Sequence, residues 1–430
     1  MRTLLLLPNL VAAIALLPAG EVPLGAPAFF PSPERPVGWR GDGSGAFPGA
    51  TPVAAWNSQT GQGIVWKARM PTPSWSQPIV VGDKVFTTAD PNLLICVSAI
   101  DGSILWQQAV DHTVKMDPAA ARKAKEELAF FDGMFPLYVD GFRLMGRMQA
   151  LAKQKGINEG ELRTAVMSKG AVDSIYPKVK DYASADYDKA MADAELKPML
   201  EQLIDLRRKY AFTFADPRRG ENWSAITGDL RDTTAGKPLN DRLDALIRDA
   251  SIWAWPRQNW YGCCSMTFAT PCSDGQRVYV AFPSNQVAAY DLAGKQQWLT
   301  WEHPPANQKQ DGVIHCRFVP SPLLVAGRLV VNQNGELRVY DAKTGTKVWG
   351  LFDPYEKSRD KRDKTRGSRN CRPYPEACSP VAFRLPLGGG TLDVITDGGG
   401  QVYRLDDGVV VGKGLPGLYK GASPIAVGDL

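Results

Sequence analysis

The sequence predicts an all-β propeller interrupted by one inserted α-helical subdomain. Three observations predict it. A proline-led strand start recurs along the chain. A closing segment of Asp, Gly and Trp recurs at a near-constant offset from that start. Between two of these units the apolar period changes from that of a strand to that of a helix.

The strand starts are Gln77-Pro78, Thr270-Pro271, Ser321-Pro322 and Ser379-Pro380. Proline at a strand start sacrifices no ladder hydrogen bond. In the first three units an apolar run, a Gly-containing hairpin turn and a second β-branched run follow. The units close with Asp101, Gly102 and Trp106, with Asp291, Gly294 and Trp298, and with Asp341, Gly345 and Trp349. These read as an Asp that caps a turn, a Gly at positive φ and an outer strand that ends in Trp. Pro271 to Trp298 and Pro322 to Trp349 both span 27 positions, and Pro78 to Trp106 spans 28. A fourth unit keeps Leu405-Asp406-Asp407-Gly408 but has no Trp. The spacing of the starts, 51 positions and then 58, suits one four-stranded blade plus loops. A single blade cannot bury both faces, so Trp298 and Trp349 are expected to be largely buried between neighbouring blades.

These units resemble PQQ-like repeats, the Trp-docking blades of quinoprotein dehydrogenases and of non-enzymatic outer-membrane assembly propellers. The opening Trp39-Arg40-Gly41-Asp42-Gly43-Ser44-Gly45 and Trp66-Lys67-Ala68 are similar to the N-terminal signature of exported members. The resemblance covers about residues 36–112 and 262–430, and implies a β-propeller of four-stranded blades.

Four regions follow. Residues 1–28 read as a signal peptide: Arg2, a short apolar run from Leu4 to Leu17, and a cleavage site at Ala26-Pro27-Ala28. No cysteine precedes Cys96, which argues against a lipid-modified cysteine. Periplasmic or extracellular localisation is expected, with no transmembrane segment after cleavage. Residues 29–112 carry the N-terminal propeller segment and first blade. Residues 113–260 form the insertion. There Asp117-Pro118 is an N-cap and N1 pair before Ala119–Phe131, and Leu144, Met148 and Leu151 recur at helical spacing, as do Met199, Leu203 and Leu206. Residues 261–430 hold further blades. Gly421–Leu430 reads as the start of another unit, so an incomplete ring is expected.

The formal net charge of +5 is too small for a nucleic-acid binder. The segment Glu356–Arg372 alone has eight Lys or Arg against three acids, and reads as a solvated loop. Three histidines offer no basis for a His-rich metal site, so none is expected. Seven cysteines in an exported chain permit disulfides and leave at least one thiol unpaired. Cys263-Cys264 is the most pointed feature. In the methanol-dehydrogenase-like quinoproteins an adjacent Cys pair forms a ring against the quinone, and Trp260 here would supply an aromatic wall. The flanking residues depart from that family's pattern, and separate thiols or ordinary disulfides are the plainer reading. Cys316-Arg317 and Cys371-Arg372 precede inner strands much as the Cys pair does, so Arg317 and Arg372 are candidates for holding an anion. Two functions stay open: a binding scaffold for a protein, carbohydrate or anionic ligand on a propeller face, or a dehydrogenase of alcohols or sugars that uses PQQ and calcium.

Overall fold

A computed structural model describes residues 31–43, 45, 53–72, 74–170, 183–210, 212, 214, 239, 241–242, 245–246, 249–250, 267–302, 319–333, 336–352, 378–387, 390–396 and 401–413. The β part is four antiparallel four-stranded sheets, each in sequence order. Blade 1 holds β1 (Ile79–Val81), β2 (Lys84–Ala89), β3 (Leu93–Ser98) and β4 (Ile104–Ala109). Blade 2 holds β5 (Cys272–Ser273), β6 (Arg277–Ala281), β7 (Gln286–Asp291) and β8 (Gln296–Trp301). Blade 3 holds β9 (Leu323–Val325), β10 (Arg328–Gln333), β11 (Glu336–Asp341) and β12 (Lys347–Phe352). Blade 4 holds β13 (Val381–Leu387), β14 (Gly390–Thr396), β15 (Gln401–Arg404) and β16 (Val410–Lys413). These are propeller blades, and the four do not close a ring.

Each proline-led start sits directly before the innermost strand of its blade, at Pro78, Pro271, Pro322 and Pro380. The hydroxyl residues beside these prolines have a role that composition did not reveal. Ser321 Oγ accepts the Thr270 amide at 3.0 Å, and Ser379 Oγ accepts the Ser321 amide at 3.1 Å. Ser76 Oγ donates to the Ala269 carbonyl at 3.0 Å. Inner strands have little room for side chains, and these short hydroxyls satisfy backbone groups across the seam between blades. Between the sheets the core is layered. Phe86, Leu94, Val278, Val280 and Phe282 fill the gap between blades 1 and 2, and Tyr279, Val287, Leu329 and Tyr340 the next.

The outer strands share a second irregularity. In all four blades the register slips by one residue between the third and fourth strands. Trp106, Trp298 and Trp349 stand at the last regular pair before the slip, opposite Cys96, Ala289 and Val339. Gly412, opposite Val402, holds that position in blade 4. The strands run on for three residues past each Trp instead of ending there.

Between β4 and β5 the chain forms helices α1 (Pro118–Gln154), α2 (Glu159–Lys169), α3 (Ala185–Ala192) and α4 (Leu196–Tyr210), with further helical residues between 239 and 250. Asp117 caps α1 by accepting the amides of Ala119 and Ala120. That helix is one continuous element of 37 residues that runs through Pro136, longer than the spacing alone suggested. Ser184 and Asn158 cap α3 and α2 in the same way. Phe131, Met134, Tyr138, Met148, Leu162, Leu200, Leu203 and Phe212 bury together in a core made only of inserted residues. Among the described residues no helix is long and apolar enough to cross a membrane.

A core closed on itself is a stability statement. Replacing residues 117–252 by a short Gly/Ser linker should leave the blades folded, with the β-type circular dichroism and a cooperative melt retained. Loss of the cooperative β transition on that deletion would show that the helices are part of the propeller core.

Candidate functional site

Blade joining is the best-defined recognition geometry in the chain. Each docking indole donates Nε1–H to a backbone carbonyl in the next unit. Trp66 reaches Ala99 at 2.8 Å, Trp106 reaches Leu292 at 3.2 Å, Trp298 reaches Ala342 at 3.0 Å and Trp349 reaches Leu405 at 2.7 Å. Each ring lies over a glycine of the same turn: Gly102, Gly294, Gly345 and Gly408, with φ between 72° and 89°. A Cβ on any of the four would come within 2.6–2.9 Å of the indole. Glycine is therefore required both by the backbone conformation and by the ring above it.

The four tryptophans are partly buried, Trp298 and Trp349 included, with most of each ring covered by the next blade. The indole covers a turn at the outer rim of the next blade, so one face is packed and an edge meets solvent. Asp291 and Asp341 accept turn amides through Oδ1, at 3.0 Å from Ala293 and 2.9 Å from Thr344. Asp101 does not share that place. Ser98 does, accepting the amides of Ile100 and Asp101, while Asp101 accepts the amide of Ser103, two residues on. These bonds hold the Asp101 carboxyl at about 2. Sequence reasoning also missed Trp66 as a docking residue, although Asn57-Ser58-Gln59-Thr60-Gly61 repeats the closing turn, with the Trp one position later than in blade 3.

Strand parity sets the two faces. In each blade the hairpins joining its first to second and third to fourth strands lie at one end, and the blade-to-blade connections leave from the other. The insertion therefore rises from the same face at which β8 and β12 end. Its stem is fixed there. The Ala250 carbonyl lies 2.9 Å from His112 Nε2, which must carry the proton because a carbonyl only accepts. The His112 ring packs on Trp301 of β8 with centroids 5.3 Å apart, and its Nδ1 is buried without a partner. Burial pushes the imidazole pKa down, against the opposing pull of the Ala250 bond and Asp111. Asp111 itself accepts the Thr113 amide and pairs with Lys125 of α1 at 3.0 Å.

Between blades 2 and 3 lies a charged cluster that the repeat pattern concealed. Arg338 is 2% exposed and occupies the register of Ile95 and Ala288 in the earlier blades. It donates to Glu336 at 2.7 Å, and Lys347 bridges Glu336 and Glu302 at 2.9 and 2.8 Å. Burial opposes ionisation of Glu336, but the two cations outweigh it and hold the carboxyl below its ordinary range. On the hairpin side, the N-terminal segment joins the inner edge of blade 2 through a two-way bridge between Val37 and Ser273. A cavity of about 610 Å³ lies between that segment and the inner strands of blades 2 to 4, lined by Trp39, Cys272, Leu324, Val381 and Phe383 among others.

Cys263, Cys264, Trp260, Arg317 and Arg372 lie outside the described residues, as do residues 1–28, Glu356–Arg372 and Gly421–Leu430. Cys96 and Cys272 are buried thiols, pushed up by burial, the first to about 12, and so are poor nucleophiles.

The family described as outer membrane protein assembly factor BamB matches residues 50–132 and 257–369. No match is found among curated proteins. Three solved structures are similar at low identity. BamB from Moraxella catarrhalis is 15% identical over 32% of this chain and 33% of its own, with a TM-score of 0.19. Quinohemoprotein alcohol dehydrogenase ADHIIG from Pseudomonas putida HK5 is 12% identical over 91% and 48%, at 0.30. Quinohemoprotein alcohol dehydrogenase from Comamonas testosteroni is 10% identical over 83% and 46%, at 0.26. The chain thus spans about a third to a half of the length of these proteins.

Two outcomes follow from the geometry. Trp298→Ala should cost about 2–4 kcal/mol in denaturant unfolding, below the range of a fully buried aromatic. Gly345→Ala should cost a similar amount, and the double variant clearly less than the sum, because removing the indole removes the clash. Strict additivity would refute the dock.

The second outcome concerns His112. Its folded pKa lies below the unfolded value, so its contribution to stability is full above about pH 6.5 and falls as pH drops below it. The protection factors of amides 112–115, taken relative to the intrinsic exchange rate at each pH, should therefore fall between pH 7.5 and 5. His112→Gln should flatten that dependence.

Proposed function

Because the chain is a PQQ-like repeat β-propeller protein, we propose that it is an exported binding scaffold whose helix-bearing face receives a protein or anionic carbohydrate partner. One observation carries this reading: a helical subdomain with its own core is held at one propeller face through His112, Ala250 and Trp301. Such an addition enlarges one rim of the propeller without entering its blades, and functional variation concentrates on segments of this kind. The partial match to an outer-membrane assembly family supports an envelope location.

The rival is a dehydrogenase that uses PQQ and calcium. The described carboxylates near the inner strands are committed to protein groups. Asp90 accepts the amide and hydroxyl of Thr267, and Asp274 accepts the Tyr279 hydroxyl and the amides of Gln276 and Arg277. These residues do not fit as calcium ligands, and no redox step is assigned to them.

The test is to load the secreted protein with PQQ and calcium and assay dye-linked oxidation of primary alcohols and aldoses. No turnover above the protein-free control is expected. Chelator-sensitive turnover, together with a Cys263–Cys264 bond in non-reducing peptide maps, would replace the scaffold reading with the enzymatic one. On the scaffold reading these two cysteines map as thiols or as bonds to other loops.

A further inference from the structure

The indole docks do not tell blade 2 from blade 3. Leu292 and Ala342, whose carbonyls receive Trp106 and Trp298, sit in turns of the same build. Each turn has an aspartate that accepts its amides and a glycine at positive φ under the ring. Connectivity does not decide for Trp106 either. Its carbonyl partner lies 186 residues on, and the equivalent carbonyl of blade 3, that of Ala342, stands 50 positions beyond Leu292. The cost of closing a loop grows only with the logarithm of its length, so the two closures cost nearly the same. Blade 1 needs another reason to take blade 2 and refuse blade 3.

The third strand of each blade supplies one, because one side of it faces the blade before. Register places Leu93, Gln286 and Glu336 in one row, Ile95, Ala288 and Arg338 in the next, and Val97, Tyr290 and Tyr340 in a third. These rows are apolar in blade 1 and charged in blade 3. Blade 3 sets Arg338 and Lys347 against Glu336, which leaves one positive charge unmatched within the blade. The balancing carboxylate comes from blade 2. Glu302 Oε2 lies 2.8 Å from Lys347 Nζ and 3.9 Å from Arg338 Nε, and its Oε1 accepts the Tyr340 hydroxyl at 3.4 Å. Asn285 Nδ2 donates to the Glu302 carbonyl at 3.1 Å and holds the residue at the end of β8. Glu302 stands four positions after Trp298, and the residue four positions after Trp106 is Val110. Val110 is fully buried and carries no charge.

We propose that Glu302 is the address that directs blade 3 to blade 2, and that the surplus positive charge of blade 3 bars it from blade 1. On blade 1 the Trp–Gly dock would form equally well, but Arg338 and Lys347 would meet Val110 where Glu302 belongs. Arg338 is 2% exposed, so water cannot replace the missing carboxylate. Stranding one partner of a buried ion pair costs far more than the intact pair contributes. The cluster therefore acts chiefly against the wrong arrangement, which identical docks would otherwise permit.

A diazirine-bearing methionine analogue in place of Gln108 reads the choice in the full chain. Position 108 lies two residues after Trp106, on the same side of β4. The chain is refolded from denaturant with its thiols kept reduced, then illuminated, and monomeric adducts are mapped by mass spectrometry. With no other change, adducts should fall on blade 2, within residues 277–301. Glu302→Gln should raise the share on blade 3, within residues 328–352, at least tenfold. So should Glu336→Gln, Arg338→Met and Lys347→Met together, which leave blade 3 no charge to keep it from blade 1. Glu302→Asp retains the carboxylate and should retain the original pattern. If Glu302→Gln shows no cooperative melt, the triple variant decides. Adducts that stay on blade 2 in a neutral variant that folds overturn the proposal. So does Glu302→Asp redirecting them as strongly as Glu302→Gln, or a chain carrying the analogue alone that already divides them between blades 2 and 3.

Discussion

An indole laid over a glycine, with its N–H on the neighbouring carbonyl, is the contact on which the rest of this structure depends. Each blade is a twisted sheet with two apolar faces, and neither face is satisfied alone. Inner hydroxyls such as Ser321 and Ser379 bind the sheets near the axis. Apolar layers fill the middle. Only the outer rim needs a directional lock, because there the sheets splay apart as they twist. The Trp–Gly dock supplies it, and the one-residue slip in every outer strand follows each docking position. Turn chemistry, strand register and blade packing thus meet at one pair of residues.

Much of the propeller was legible because that pair is repeated. Prolines before the inner strands and glycines before the tryptophans are local requirements, and local requirements recur in sequence. What stayed hidden depends on context. Ser98 replaces the aspartate of the blade 2 and blade 3 turns because either side chain can accept two amides, so the letter changed while the geometry stayed. Trp66 reads in sequence only as part of a signature, because no proline-led strand start stands 27 or 28 positions before it. Arg338 lies in a strand whose counterparts are apolar, and its charge is tolerated because the Glu336 and Glu302 carboxylates face it. None of this is visible in a hydrophobic pattern. The candidate residues read from chemistry alone, Cys263, Cys264, Trp260, Arg317 and Arg372, fall in connections between blades, where no repeat constrains the sequence.

The insertion illustrates how parity decides location. A connection between blades must leave from the end where an even number of strands has brought the chain back. Anything long inserted there stands on the same face as every other blade-to-blade connection. The stem needs few residues to hold it, and a neutral histidine between Ala250 and Trp301 is the most specific of them.

The docks also have a direction in time. Each tryptophan locks onto a turn that comes later in the chain, so a blade is sealed only after its successor has emerged. The delay is 33 residues for Trp66, 44 for Trp298 and 56 for Trp349, but 186 for Trp106. Blade 1 therefore waits, its outer rim open, while the whole helical insertion is made. Long-range contacts of this kind are slow to form and leave apolar surface exposed meanwhile. Helices that close on their own core shorten that exposure, because the chain between Trp106 and Leu292 collapses locally before the lock is reached. The insertion thereby acts on the order of assembly as well as on the finished shape.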